Sequence, residues 1–496
     1  MSWRPAAALL TCLALGLGAC GDDDDDEAAA LTTTSSTGGD ASPAPTTAPA
    51  GRPFEPAPIE WESCGDHDCA ELVVPLDYAD PSGPTITIAL RRIPASEPDQ
   101  RIGALLTNPG GPGASGIEFV RSGSPFESEV YQRFDVIGFD PRGVGQSTGL
   151  QCGGELVDEF QALDSDPDSP AEQGELDARA QAIAEDCADQ DGDLLAHMGT
   201  ADVVRDMDTI RRALGEQTIS YVGFSYGTLL GERYAEMFPS GARAIVLDGV
   251  VDPSHDFREF LTGQTVAIER TLNEVFEACS SSTPECPGIG GAAAYDEISS
   301  EVEKAPLPAG SNELGPGDLA TAAIYVTYSA SLWPALYGAL ADGLEGDGSS
   351  LYDLAELYRS FGGFTSYVAV ECVDSPHPVG SDEFQVFAAE LEAISPRFGA
   401  AIANELLPCA FWPAAAGTDP QPVTAKGAPP ILVIGNTGDA ATPYEQAERV
   451  AETLSNAVLL TYEGEGHTSI GSSQCVDDAT TRYLIDLELP DPGTVC

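Results

Sequence analysis

The amino-acid sequence predicts an α/β fold in which a mostly parallel central sheet is covered by helices on both faces. Three observations support this prediction. Short apolar runs alternate with helical patterns from about Leu72 onward, and one such run leads through a Gly-x-Ser-x-Gly turn into a helix within Thr218–Arg233. The same alternation resumes near the end of the chain. Between about Asp256 and Thr424 it gives way to helix-like segments joined by Pro- and Gly-rich turns, which indicates an inserted helical cap.

The elements follow in order along the chain. We expect a signal at residues 1–20, a tether at 21–58, the first part of the core at 59–255, the cap at 256–424 and the second part of the core at 425–496. Helices are predicted at Asp202–Leu214 and at about Tyr444–Leu454. The predicted strands outside the Ser225 region are Thr85–Ile93, Gly103–Thr107, Phe134–Phe139, Ala244–Leu247, Ile431–Ile434 and Val458–Tyr462.

The first twenty residues are typical of a secretory signal. Arg4 precedes an apolar run from Ala6 to Gly18, which is too short to span a bilayer. Small residues before Cys20 are similar to the lipobox of bacterial lipoproteins, in which this cysteine becomes the acylated first residue. The abrupt change to Asp22 and its acidic neighbours favours that interpretation over an ordinary signal peptide with an incidental cysteine. We therefore expect a lipid anchor and an extracytoplasmic location, either on the outer face of the membrane or secreted.

The tether and the charge have compositional signatures. Residues 21–58 are rich in Ala, Thr, Ser, Pro and acid and poor in aliphatic residues, so they cannot bury enough surface to fold.

The whole chain has 80 acidic residues against 22 basic ones, for a net charge of −58, and nearly all of these charged residues follow Gly51. Such a field excludes nucleic acid as a partner. Adaptation to a salty medium explains it better than one cationic ligand does.

Cysteine usage indicates disulfides. With Cys12 in the signal and Cys20 assigned to lipid, ten of the twelve cysteines remain, an even number in a chain with a secretory signal. A metal site is not expected, because no Cys-x2-Cys or His-x3-His spacing occurs, and no cofactor is expected. Sequential pairing would give five local bonds, although spacing alone does not prove the connectivity. These bonds would join Cys64 to Cys69, Cys152 to Cys187, Cys279 to Cys286, Cys372 to Cys409 and Cys475 to Cys496.

The nucleophile candidate is Ser225, in Gly-Phe-Ser-Tyr-Gly at 223–227. A serine between a strand and a helix takes a strained backbone geometry that lifts its hydroxyl off the sheet. A second copy of the pattern surrounds Ser147, but it follows a turn rather than a strand and cannot begin a helix. Ser147 is therefore interpreted as a loop serine.

A serine hydroxyl needs a base, and the base needs an orienting acid. The chain has five histidines, and His467 follows a predicted strand in a Gly-flanked loop, which favours it over His67, His197, His255 and His377. For the acid, Asp439 follows the strand Ile431–Ile434 and precedes His467, which gives the chain order Ser, Asp, His. Asp248, at the end of the strand after the Ser225 helix, is the alternative.

The oxyanion of a tetrahedral intermediate needs backbone N–H donors. One is expected from Tyr226, directly after the nucleophile. The second is expected from Gly111 in Asn-Pro-Gly-Gly-Pro-Gly at 108–113, a loop that follows the strand Gly103–Thr107. No Lys-Ser/Thr follows this loop, so it is not interpreted as a phosphate loop.

These motifs, with Asp-Pro-Arg-Gly-Val-Gly-Gln-Ser at 140–147 and the segments around Asp439 and His467, together resemble the secreted tripeptidyl aminopeptidases. These are relatives of proline iminopeptidase in the α/β-hydrolase superfamily, with a characteristic TAP-like C-terminal segment. The resemblance runs from about Ile59 to Cys496. It implies an exopeptidase that removes short N-terminal peptides, with Ser225 as nucleophile, Asp439 as orienting acid and His467 as base. Position 108 departs from the family, since it is asparagine where the iminopeptidases usually have histidine.

An aminopeptidase must bind a free ammonium group, and in the iminopeptidase relatives a glutamate late in the cap does so. Glu371 is the matching candidate here, with Asp374 as the second choice and a solvated carboxylate as the alternative interpretation. The expected partners are peptides with free N-termini, with the membrane contacted through the lipid anchor only. Two other functions stay open: an esterase or lipase with the same triad, and a cell-surface binding lipoprotein with an inactive site.

Overall fold

The computed structural model describes residues 54–279, 283, 285–417 and 420–496. The predicted signal, the predicted lipidation site at Cys20 and nearly all of the predicted tether lie outside the described residues. No helix within these ranges is both long and apolar enough to cross a membrane.

Eleven strands occur in the described part of the chain, and nine of them form one sheet in the order β1-β2-β3-β5-β4-β6-β7-β10-β11. Strands β1 to β3 pair antiparallel, as do β3 and β5, whereas β5, β4, β6, β7, β10 and β11 pair parallel. This confirms the predicted mostly parallel sheet. The strands are β1 (Glu62–Cys64), β2 (His67–Pro75), β3 (Thr85–Ile93), β4 (Gly103–Asn108), β5 (Phe134–Phe139), β6 (Ile219–Phe224), β7 (Ala242–Asp248), β8 (Leu307–Ala309), β9 (Asn312–Leu314), β10 (Ile431–Gly438) and β11 (Ala457–Glu465).

Sixteen α-helices of the described residues surround this sheet or form the region between β7 and β10. The helices are α1 (Gly116–Ser122), α2 (Ser128–Arg133), α3 (Glu155–Ala162), α4 (Pro170–Leu195), α5 (Thr200–Ala213), α6 (Tyr226–Met237), α7 (Phe257–Ala278), α8 (Gly291–Val302), α9 (Pro316–Tyr325), α10 (Trp333–Leu344), α11 (Ser349–Arg359), α12 (Phe364–Asp374), α13 (Ser381–Glu392), α14 (Gly399–Asn404), α15 (Tyr444–Thr453) and α16 (Gln474–Asp486).

The strand registers bring several carboxyl ends to one edge of the sheet. Asn108 of β4 lies beside Gly223 of β6, and Phe224 lies beside Asp248 of β7. Asp248 in turn lies beside Ile434 of β10. Every residue of β4, β5 and β6 is buried, as expected for parallel strands covered on both faces. Ligand sites of parallel sheets form at this edge, so the loops after β4, β6, β7 and β10 meet where chemistry is expected.

Helices α7 to α14 and the small β8–β9 hairpin fill the chain between β7 and β10. Helix α7 begins at Phe257 after Asp256, whose side chain forms a capping box with Glu259. We call residues 256–424 the cap. Its hydrophobic side chains belong to the same buried cluster as one face of the sheet. The division into cap and core stays a prediction.

The longest helix, α4, was not evident from the sequence. Its residues are mostly Ala, Asp, Glu and Gln, so apolar periodicity is weak over its 26 residues. The structural signal lies at its start, where Ser169 and Glu172 form a capping box and Pro170 occupies the first turn. Capping at its start thus marks this helix, together with a buried stripe that includes Leu176, Ala180, Ile183, Ala184, Cys187 and Leu194.

Five disulfides are present among the described residues, and they confirm the sequential pairing that the spacing suggested. Two of them lie within the cap: one joins Cys279 to Cys286, and the other ties α12 to the short helical turn Leu407–Phe411. The last bond ties α16 to the final residue. The bonds therefore constrain both the core and the cap. They join Cys64 to Cys69, Cys152 to Cys187, Cys279 to Cys286, Cys372 to Cys409 and Cys475 to Cys496.

Candidate active site

Ser225 lies at the turn between β6 and α6. Its φ of 55° is positive, which is unusual for a residue other than glycine. A β-carbon at Gly223 would lie 2.2 Å from the carbonyl oxygen of Gly227, so the turn closes only with glycine there. The Ser225 amide donates to the carbonyl of Asp248 at 3.0 Å, which fixes the turn against β7. The strained turn directs the serine side chain away from the sheet at the N-terminus of a helix.

His467 and Asp439 form a hydrogen-bonded pair. Nδ1 of His467 lies 2.9 Å from both carboxylate oxygens of Asp439, which is fully buried. A proton on Nδ1 satisfies this contact and leaves Nε2 as the basic nitrogen. Nε2 is buried and has no hydrogen-bond partner among the described residues. The pair thus presents an oriented imidazole with a free lone pair.

The imidazole of His467 lies at the same edge of the sheet as Ser225. A β-carbon at Gly249, the residue after the carbonyl that holds the Ser225 amide, would lie 3.0 Å from Cε1 of His467. The cap contributes as well, because the Tyr328 carbonyl accepts from the His467 amide at 2.9 Å and its ring meets the imidazole edge-on at 5.4 Å. The structure therefore brings the three predicted catalytic residues to one edge of the sheet.

Asp439 is held by its own loop. Its Oδ1 accepts from the amides of Ala441 and Thr442 at 2.9 Å each, and its Oδ2 accepts from the Thr442 hydroxyl at 3.1 Å. These bonds fix the carboxylate before any substrate arrives. Sequence reasoning did not single out Thr442, although Asp-x-x-Thr after a strand is a turn pattern that predicts such bonds.

Asp248, the alternative acid, has a different role in the geometry. Its carboxylate accepts from the amides of Ser469 and Ile470 at 2.9 and 2.8 Å and makes no hydrogen bond to His467. It thereby holds the segment that directly follows the histidine. Burial raises the pKa of Asp248 to about 6, although these hydrogen bonds act in the opposite direction. Of the two candidate acids, Asp439 is the one that orients the imidazole.

Charge near the imidazole offsets the effect of its burial. Burial lowers the pKa of His467, whereas the charge and hydrogen bond of Asp439 and the charge of Asp248 raise it. The net result is a pKa above the usual value. A base with a raised pKa stays protonated to higher pH, so its catalytic form is favoured only above that pKa.

The Gly-rich loop after β4 packs directly on the serine turn. A β-carbon at Gly110 would lie 2.8 Å from Cβ of Ser225 and 3.1 Å from the amide nitrogen of Tyr226. Asn108 shapes this loop, since its Oδ1 accepts from the Gly110 amide at 2.9 Å. Gly111 and Tyr226, the two predicted oxyanion donors, both line the cavity described next.

A cavity of about 690 Å³ opens between this edge of the sheet and the cap. About half of its lining residues are aromatic or aliphatic, and they include Tyr226, Tyr328, Tyr358, Tyr367 and Phe257. Eight carboxylates line it, among them Glu371 and Asp374 on α12 and Glu405 directly after α14; the other five are Asp158, Glu236, Asp252, Asp256 and Glu356. The volume suits a small ligand or a short peptide segment.

The carboxylates on α12 and directly after α14 differ in their partners. Asp374 accepts from both the amide and the hydroxyl of Thr200, and the same hydroxyl bonds that of Tyr226 at 2.7 Å. The carboxylates of Glu371 and Glu405 make no hydrogen bond or ion pair with any described residue. Of the two residues predicted to bind an ammonium group, Glu371 is thus free to do so, whereas Asp374 is already bonded.

Burial and mutual repulsion disfavour the charged form of these groups. Burial, helped by the charges of Asp374 and Glu405, raises the pKa of Glu371 to about 8. Burial alone raises the pKa of Glu405 to about 7, and it raises that of Asp374 to about 6 despite the bonds from Thr200. A cation placed among them would relieve this cost.

Other candidates do not join the site. Ser147 is buried and its hydroxyl bonds the backbone of β3 and Asp140, which fits the predicted loop role. His255 lines the cavity but pairs with Arg449 at 2.8 Å. Glu405 was missed, since nothing in the sequence marks one glutamate among 80 acids. No group of three or more His, Cys, Asp or Glu side chains in the described ranges is arranged to hold a metal ion.

Comparison with known proteins places this geometry in context. Residues 103–291 match the family described as alpha/beta hydrolase fold, and residues 395–496 match the one described as TAP-like protein. The chain is 33% identical to the serine protease Hip1 of Mycobacterium tuberculosis over 88% of this chain and 91% of that one. It is 34% identical to carboxylesterase B of the same organism, over 90% and 91%, and 33% identical to a tripeptidyl aminopeptidase of Streptomyces coelicolor, over 90% and 86%.

Proposed function

The chain belongs to the alpha/beta-hydrolase family with a TAP-like C-terminal segment and is a serine peptidase, and we propose that it releases short peptides, tripeptides foremost, from free peptide N-termini. The observation that carries this proposal is the pair of unpartnered carboxylates, Glu371 and Glu405, in the cavity beside the Ser225 turn. A relative named tripeptidyl aminopeptidase supports the length of the released peptide.

The chemistry proceeds through an acyl-enzyme. Ser225 Oγ attacks the scissile carbonyl while His467 Nε2 takes its proton, and Asp439 stabilises the imidazolium. The amides of Gly111 and Tyr226 donate to the oxyanion. His467 then gives the proton to the leaving amine, which departs with the rest of the peptide chain. Water, deprotonated by the same imidazole, hydrolyses the ester and releases the short N-terminal peptide.

The cap determines where cleavage occurs. An N-terminal ammonium between Glu371 and Glu405 replaces the mutual repulsion of these groups with attraction, and it favours their ionised forms. The distance from that position to Ser225 then sets how many residues are released. Thr200 is hydrogen-bonded both to Asp374 of α12 and to Tyr226, the residue after the nucleophile. These bonds position the ammonium site on α12 relative to the nucleophile.

Tripeptide anilides with free and with acetylated N-termini test the proposal. We expect hydrolysis of the free peptides to be favoured, and Glu371→Gln and Glu405→Gln each to lower their kcat/KM by about 10- to 100-fold, as for a lost charged hydrogen bond. Neither substitution should lower kcat/KM for the acetylated peptides. Glu356→Gln is the matched control, because Glu356 lines the same cavity but already pairs with Arg359 at 2.9 Å. Equal rates on free and acetylated peptides would contradict an ammonium site.

An esterase is the second candidate, favoured by the similarity to carboxylesterase B. The same triad cleaves esters more easily than amides. Matched ester and anilide substrates separate the two functions. An esterase should hydrolyse acyl esters without an amino group at least as well as free peptide anilides, and Glu371→Gln should leave its rate unchanged.

We also propose an extracytoplasmic location with a lipid anchor at Cys20. The disulfides in the described residues support an oxidising compartment. The anchor rests on the sequence alone. Cys20→Ser should move the protein from the membrane fraction to the medium without changing the specific activity. Continued membrane association of that variant would argue against the anchor.

A further inference from the structure

Helix α12, which carries Glu371, also contacts the backbone of two loops beside the nucleophile. Its start lies against the Gly-rich loop after β4, and its last residue is bonded through Thr200 to Tyr226. These two regions carry the two proposed oxyanion donors, the amides of Gly111 and Tyr226. One cap helix is therefore bonded to both of the segments on which the oxyanion hole depends.

The loop that carries Gly111 has little stiffness of its own. Gly110, Gly111 and Gly113 have φ values of 101°, 104° and 99°, a region that glycine enters and leaves easily. The amide of Gly363, directly before α12, donates to the Gly113 carbonyl at 3.3 Å. A β-carbon at Gly113 would lie 2.8 Å from the Gly363 carbonyl oxygen, so the two backbones are in close contact. The start of α12 thus limits the movement of this loop.

Ser366, in the first turn of α12, fixes the start of the helix to the core. It is buried, and its hydroxyl donates to the Gly143 carbonyl at 2.7 Å. Gly143 belongs to the motif at 140–147, which contributes no group to the proposed chemistry. Asp140 of the same motif accepts from the Ser115 hydroxyl at 2.6 Å, directly after the Gly-rich loop. The motif therefore anchors both the cap helix and the end of the oxyanion loop.

The other end of α12 is bonded to the residue after the nucleophile. Asp374 accepts from the amide of Thr200 at 2.8 Å and from its hydroxyl, at the start of α5, where Gly199 has no side chain to cap the helix. Because Thr200 donates its only hydroxyl proton to this carboxylate, the phenol of Tyr226 donates to Thr200, at 2.7 Å. Tyr226, Thr200 and Asp374 thus form one directed chain of hydrogen bonds.

We propose that α12 positions both oxyanion donors, through Thr200 at one end and Ser366 at the other. Thr200 fixes the phenol of Tyr226, so the amide of that residue turns only if its ring moves as well. Ser366 keeps α12 against the loop of Gly111. The cap then contributes to the chemical step and not only to substrate recognition. The inference rests on the proposed roles of Ser225 and the two donors, but it does not depend on the ammonium site.

Hydrolysis of p-nitrophenyl acetate by the full-length enzyme tests this inference, since this ester has no amino group. We expect Thr200→Val and Ser366→Ala each to lower kcat by about tenfold with little change in KM, a part of the loss that removal of a whole donor causes. Thr200→Ser keeps the hydroxyl and should stay close to wild type. Thr453→Val and Ser360→Ala are matched controls, because each hydroxyl is exposed and bonds only a carbonyl of the preceding turn.

Two further measurements separate positioning from a loss of stability. Phenyl trifluoromethyl ketone forms a tetrahedral adduct with the serine hydroxyl, so its Ki should rise about as much as kcat falls. Tyr226→Phe removes the phenol donor but keeps the amide. It should lower kcat as Thr200→Val does, with no further loss when the two are combined. If Thr200→Val does not fold, Tyr226→Phe and Ser366→Ala decide the outcome.

Wild-type kcat on the acetate ester in Thr200→Val and Ser366→Ala would overturn the proposal, as would a lower Tm with an unchanged Ki. Slower hydrolysis of free peptides alone would mean that α12 serves only recognition, which contradicts the positioning role and leaves the ammonium site intact. Equal hydrolysis of free and acetylated peptides by the wild type contradicts only the ammonium site.

Discussion

The sheet side and the cap side of the candidate active site differ in how they hold their carboxylates. On the sheet side, Asp439 and Asp248 each accept several hydrogen bonds from backbone amides. On the cap side, the half-buried side chains of Glu371 and Glu405 have no hydrogen bond among the described residues. The carboxylates near the imidazole are thus fixed in advance by hydrogen bonds, whereas the two on the cap side are left unpaired, as the proposed ammonium site requires.

The largest expected effect comes from substituting the acid that is hydrogen-bonded to His467, on the sheet side of the site. Asp439→Asn should lower kcat by about 10⁴-fold, because the asparagine amide favours the wrong tautomer of His467. Asp248→Asn is the matched control, since this residue holds the loop rather than the imidazole, and its kcat well above pH 7 should stay close to wild type. Steady-state kinetics on one anilide measures both. A larger loss in Asp248→Asn would reverse the assignment of the two acids.

A smaller effect concerns the support of Asp439. Thr442→Val removes the hydroxyl that donates to Oδ2 at 3.1 Å and should lower kcat by about tenfold with little change in KM, a loss on the scale of one hydrogen bond to a charged group. Thr453→Val, at an exposed position of α15 where the hydroxyl bonds only the Arg449 carbonyl, should have no effect. A change in KM alone would mean that Thr442 contacts substrate instead.

The pH dependence of activity tests whether the charge of Asp248 raises the pKa of His467. The charges of Asp439 and Asp248 place the pKa of His467 above its usual value, and activity requires the neutral imidazole. Activity should therefore fall as the pH drops through a midpoint above about 6.5. Asp248→Asn removes one negative charge and should move that midpoint to lower pH. An acetylated ester substrate isolates this limb, and a midpoint that rises instead would contradict the electrostatic account.

The smallest effect concerns stability on the cap side. Burial raises the pKa of Glu371 to about 8, whereas a free glutamate titrates near about 4.3, so the folded protein retains a proton that the unfolded chain releases. Stability should fall as pH rises through that window. Glu371→Gln should remove this cost and raise Tm by a few degrees at pH 8, and by less at pH 5. Thermal unfolding at both pH values, with Glu356→Gln as control, measures it. A lower Tm at pH 8 would mean that the carboxylate has a stabilising partner.

The sheet side was predictable from the sequence, because strand-to-loop transitions carry local signals. The Gly-flanked Ser225 turn and the position of Asp439 after β10 follow from residue patterns of a few positions. The cap side of the site was harder to predict from the sequence. Glu405 and Glu371 come to line the same cavity only through helix packing and the Cys372–Cys409 bond. No local sequence pattern predicts that arrangement. The choice between Asp248 and Asp439 also needed the structure, since both acids end neighbouring strands of one sheet.

Mass spectrometry of the fluorophosphonate-labelled enzyme tests the central claim most directly. The account predicts a single modified peptide that contains Ser225, with labelling lost in His467→Ala and retained when Ser147 is replaced by alanine. Modification of Ser147, or labelling of Ser225 that does not depend on His467, would contradict it.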